Sequence, residues 1–106
     1  MPNAAIDSQL VKLVNSLGEL RIALLVSDPN YDTIEKQYRD ASDRLSEAIG
    51  KEIDSADQDY QDFSEGVTAA IVALKEARKK LEKVAKAVKL AAKALDIAGK
   101  VAKKLV

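Results

Sequence analysis

Lys79, Lys86, Lys93 and Lys100 recur at intervals of seven residues, a spacing that keeps them on one side of a helix as a row of ammonium groups. Such a row attracts anions: lipid headgroups, nucleic acid phosphates or a partner's carboxylates. Leu90 and Ile97 interrupt it on what is otherwise the polar side of the same helix, and so mark candidate contacts for a partner helix or for lipid. The whole stretch from Lys79 to Val106 pairs lysine with alanine, valine and leucine, the composition of a helix lying on an anionic membrane surface. Its apolar side is rich in alanine, shallower than the face of a lytic peptide and suited to close helix neighbours.

Other chemistry is thinly supplied. Asp54, Asp57, Asp59 and Asp62 offer oxygen ligands, but a calcium loop requires glycine at its centre, where "DQDYQD" has aspartate. They read as a solvated acidic face near a helix end. The aromatics Tyr31, Tyr38, Tyr60 and Phe63 all lie in the acidic half of the chain; base stacking would place them among cations, so they read as core residues. No arginine follows Arg78, which leaves nucleic acid only a nonspecific electrostatic attraction. With no histidine and no cysteine, the chain lacks the usual neutral-pH acid/base, thiolate nucleophiles and the histidine of helix-bundle di-metal sites. No glycine-rich phosphate loop is present. The expectation is a protein without enzymatic activity, cofactor, metal or small-molecule substrate.

The elements that carry these residues follow from pattern. A chain of 106 residues, 47% hydrophobic and 32% charged, predicts one ordered domain spanning residues 1–106. The longest apolar runs, "IALLV" (Ile22 to Val26) and "GVTAAIVAL" (Gly66 to Leu74), are far short of a membrane span. The N-terminus carries Asp7 and no early basic residue, unlike a secretory signal; the expected setting is soluble and cytoplasmic. The zero net charge conceals a division: residues 1–64 hold 13 acids against 6 bases, residues 65–106 hold 4 against 11. Packing the two halves against each other neutralises both.

Ile6, Leu10, Leu13, Leu17, Leu20 and Leu24 alternate steps of four and three and predict a first helix over about 4–27, with Asn3 as its cap. Val11, Val14, Ile22, Leu25 and Val26 widen its apolar surface and call for cover on more than one side. Asp28 and Pro29 start a second helix over about 30–63, with a kink or stutter near Gly50 where the apolar stripe shifts phase, a genuine break there being the second option. The turn that follows falls within "DSADQDYQDFSEG", a stretch of poor helix formers, with Ser64-Glu65-Gly66 the favoured place. From Val67 a strict heptad runs to the end of the chain and predicts a third helix over about 66–104. The tyrosine and acid of "YDTIE" (Tyr31 to Glu35) resemble a motif of the small secreted helical-hairpin substrates of type VII secretion, but that family's Trp-x-Gly turn is absent, and membership is not assigned.

Together these elements predict an all-α, elongated up-down-up three-helix bundle with coiled-coil-like packing. At about 36, 50 and 58 Å the helices are unequal, so the second and third project past the first. Ile53, Tyr60, Phe63, Val67 and Ile71 then form an exposed apolar patch, and a homo-oligomer, with a dimer favoured, or a helical protein partner would cover it. The expected function is a self-associating structural or protein-interaction bundle. The alternative is a membrane-surface or pore-associated protein using the amphipathic C-terminal helix, with Lys79, Lys86, Lys93 and Lys100 on the anionic surface.

Overall fold

The computed structural model describes residues 3–106. It is all-α apart from one small strand pair, but among the described residues it has four α-helices instead of three. They are α1 (Asp7–Ala23), α2 (Tyr31–Ala48), α3 (Gln58–Lys79) and α4 (Val84–Ala102). A two-residue strand β1 (Asn3–Ala4) pairs antiparallel with β2 (Ile53–Asp54), Asn3 opposite Asp54 and Ala4 opposite Ile53. Asn3 therefore belongs to a strand and does not cap α1.

Two predicted continuous helices are broken. At Gly50 the backbone takes φ 77°, the left-handed conformation that ends α2 and that only glycine adopts without strain. The phase change expected to kink the helix is thus a full break. Asp57 then caps α3, accepting the N–H groups of Asp59 at 2.8 Å and Tyr60 at 3.3 Å, a strong N-terminal signal. Ser64, Glu65 and Gly66 consequently lie inside α3 and form no turn. The second break falls at Lys80, extended at φ −134°, ψ 97°, followed by a 3₁₀ turn over Leu81–Lys83. No glycine or proline forces this break. Folding back buries the alanine faces of α3 and α4 against each other, and tertiary packing of this kind outweighs helical propensity.

The result is two antiparallel hairpins, α1/α2 and α3/α4, laid side by side in the same direction. α1 packs beside α3 and α2 beside α4. Both interhairpin pairings are parallel: Gln9 meets Ser64 and Glu19 meets Arg78 along α1/α3, and Gln37 reaches the Val88 carbonyl along α2/α4. The two hairpin loops therefore share one end of the molecule, called the apex below. The opposite base holds the 49–57 linker, tied by β1 on one side and by paired backbone bonds between Glu52 and Val106, each 3.0 Å, on the other.

Leu10, Leu13, Leu17 and Leu20 of α1 form the buried ridge of the core. Ala70, Ala73 and Ala77 of α3, and Ala87, Ala91, Ala94 and Ala98 of α4, supply a shallow bed around it. Large residues on one helix facing small ones on others let the layers interdigitate at normal density. Gly18 serves the same end: a Cβ there would lie 3.0 Å from the Tyr38 ring, over which the Arg21 guanidinium sits at 4.5 Å.

Because the helices are of similar length, the predicted projecting end is absent. Ile53, Phe63 and Val67 are buried in the core, while Tyr60 and Ile71 are half-buried and packed against it. These five residues form no exposed apolar patch. The cover predicted around α1 is also incomplete, since Val11 and Ile22 are exposed. No described helix is long and apolar enough to cross a membrane.

Candidate functional site

Leu90 and Ile97, singled out by their place among lysines, lie half-buried on α4 and line a groove between α3 and α4. The groove has two connected reaches of about 550 and 670 Å³ that share Glu65, Ala69 and Leu90. Its floor is apolar, made by Ala69, Val72 and Ala73 from α3 and by Leu90 and Ile97 from α4. Val72 is 54% exposed and forms part of that floor.

Helical periodicity builds the walls. On α3 the steps from Asp62 through Glu65, Ala69 and Val72 to Glu76 keep one face outward; on α4 the steps from Lys86 through Leu90, Lys93 and Ile97 to Lys100 do the same. One wall is therefore acidic, with Asp62, Glu65 and Glu76, and the other basic, with Lys86, Lys93 and Lys100, relieved only by Asp96 among the lining residues. The hairpin is antiparallel, so Glu76 stands at the level of Lys86, and Asp62 and Glu65 at the level of Lys93 and Lys100. Among the described residues Lys86, Lys93, Lys100 and Glu65 enter no ion pair, and Glu76 meets Lys83 at 3.5 Å. The groove thus presents unspent charge of both signs across an aliphatic floor.

Lys79 does not belong to this row. It ends α3, beside Lys75, Arg78 and Glu19 at the apex, because the break at Lys80 separates it from the other three lysines. The alanine-rich side of α4 is committed to the core through Ala87, Ala91, Ala94, Ala98 and Val101, so a membrane contact through that side requires α4 to leave the bundle.

The acidic cluster is occupied structurally. Lys104 Nζ lies 3.0 Å from Asp57 and 2.9 Å from Asp59; Asp54 accepts the Ala56 N–H and Asp62 accepts from the Gln58 amide. The hydrogen bond from Lys104, helped by the Tyr60 and Asp59 N–H groups, holds the Asp57 carboxyl below the usual carboxylate range despite partial desolvation. Hydrogen bonds to Asp59 and Asp57 raise Lys104 in turn. Among the described residues no group of three or more acidic side chains converges on a point where a metal ion would sit.

Sequence reasoning missed the apex. Ile22, Leu25 and Val26 are 80%, 73% and 79% exposed, although they lie within the run "IALLV" that reads as helix core. The signal for it is Asp28-Pro29, which reverses the chain just beyond and takes Leu25 and Val26 off the helix. Compared with family models, with curated proteins and with solved structures, the chain has no significant match in any of the three.

Proposed function

We propose that this protein is a non-enzymatic interaction module that self-associates through the outer face of α3 and α4. The observation that carries the reading is the charge asymmetry of the groove: an acidic α3 wall and a basic α4 wall at matched heights. A two-fold axis parallel to the helices sets α3 of one copy on α4 of the other. Asp62 and Glu65 then meet Lys93 and Lys100, Glu76 meets Lys86, and Val72 packs near Leu90 of the second copy. A two-fold axis perpendicular to the helices sets acid on acid and base on base, and is disfavoured.

The size of the face limits its strength. Fourteen helical residues rise about 21 Å and two helices span about 20 Å, giving roughly 400 Å² per copy. That is about half of a standard interface, so the dimer is weak, with a dissociation constant on the order of 100 µM. Sedimentation velocity over a range of concentrations checks this: the weight-average mass should rise with concentration and fall with added salt. Lys93→Glu with Lys100→Glu should leave a monomer, and adding Asp62→Lys with Glu65→Lys should restore association. A chain monomeric throughout, or a charge reversal without effect, would overturn the reading.

A further inference from the structure

The apex carries a second surface of a different kind. Ile22, Leu25 and Val26 project from the end of α1 and the loop after it, and the hairpin of α3 and α4 brings Leu81, 46% exposed, to the same end. Four aliphatic side chains on a protruding tip expose too little area for a stable protein interface, which needs roughly 1,000 Å². Shallow burial in a bilayer needs no complementary pocket and gains with every methylene inserted. Beside the tip, Lys75, Lys79 and Lys80 are exposed, and among the described residues none of them enters an ion pair. Asp28 is engaged by the Asn30 N–H, while Asp32 and Glu82 are exposed, so the cationic excess sits on the α3 side of the tip. Aliphatic side chains flanked by unpaired lysines match the layered chemistry of an anionic membrane surface, acyl chains beneath phosphates.

We infer that the apex docks peripherally on anionic lipid bilayers, Ile22, Leu25 and Val26 entering the acyl boundary while Lys75, Lys79 and Lys80 contact headgroup phosphates. The proposal does not rest on the α3/α4 dimer. It places the lipid contact on the loop end, and not on the lysine row of α4.

Flotation with vesicles of phosphatidylcholine containing about one third phosphatidylglycerol tests it at low salt. The parent protein should float with these vesicles and not with pure phosphatidylcholine. The triple variant Ile22→Ser, Leu25→Ser, Val26→Ser, whose side chains are already exposed, should keep the parent's circular dichroism and lose at least about tenfold in vesicle affinity. Lys79→Glu with Lys80→Glu should do likewise, whereas Lys93→Glu with Lys100→Glu should retain binding. Equal flotation with neutral vesicles, undiminished binding by the triple variant, or loss only on reversal of Lys93 and Lys100 overturns the proposal. A triple variant that alters oligomeric mass while the parent ignores vesicles assigns the tip to a second copy and overturns it as well.

Discussion

Individual residues carry two conflicts between local chemistry and the fold. Gly50 is held at φ 77°, and a Cβ added there would meet nothing within 4 Å, so glycine is required by backbone conformation alone. Gly50→Ala should cost about 1–2 kcal/mol, read as a lower thermal midpoint with unchanged helix content. Gln37 is buried between α2 and α4; its amide donates to the Val88 carbonyl at 3.0 Å, but its own carbonyl oxygen has no partner. One modest hydrogen bond is thus set against an unsatisfied interior acceptor. Gln37→Met, similar in volume, should raise stability by about 1 kcal/mol in chemical denaturation. The leucine ridge from Leu10 to Leu20 is fully legible in the sequence because a period of three and four admits only one buried side. The exposure of Ile22, Leu25 and Val26 is not, since periodicity records hydrophobicity and says nothing about where neighbouring helices stop.

At the scale of elements, the capped start of α3 depends on one carboxylate with two duties. Asp57 receives helix N–H groups and also holds Lys104, and so joins α3 to the segment that follows α4. Its carboxyl is lowered in the fold, so its stabilisation is present above the ordinary aspartate value of 3.8 and fades as pH falls through the folded value below it. Lys104 is raised above 10.5, so its contribution is complete below that pH and fades as pH climbs through the folded value. Asp57→Ala should therefore lower the thermal midpoint by a few degrees at neutral pH, and the gap to the parent should narrow at either extreme. Thermal melts from strong acid to strong base check the shape of that curve. The two helix breaks differ in legibility for physical reasons. Gly50 and Asp57 are local signals, although the phase shift at Gly50 fits a kink as well as a break. Lys80 has no local signal: the heptad from Val67 continues through it unbroken, and only the burial of one alanine face on another selects the fold-back. The groove residues Leu90, Ile97, Lys86, Lys93 and Lys100 are legible nonetheless, because their shared face on α4 does not depend on where α4 begins.

For the whole molecule, the boundary between the acidic and basic halves of the sequence falls inside α3, and ion pairing between the two hairpins is sparse and exposed. Among the described residues Glu19 with Arg78 crosses between the hairpins, whereas Asp57 and Asp59 hold Lys104 within the α3/α4 hairpin and its flanks. Pairs of this kind contribute little to stability, because solvent screens them. Raising salt to about 0.5 M should consequently shift the thermal midpoint by only a few degrees while dissociating the proposed α3/α4 dimer, whose facing walls are electrostatic at their edges. Melts and sedimentation in the same buffers separate the two effects. The base of the molecule has a further consequence. Ala4 pairs with Ile53, and Val106 with Glu52, so both terminal segments lie against adjacent residues of one linker, about two strand spacings or roughly 10 Å apart. The order in which the helices are synthesised is then separable from the way they pack. A chain closed by a short glycine-serine bridge from Val106 to Asn3 and reopened at Lys80 should fold to the same four helices, with a circular dichroism spectrum matching the parent's. Such a permutant begins with α4 and ends with α3, and it frees the apex loop at Lys80 as a point where new segments can be attached.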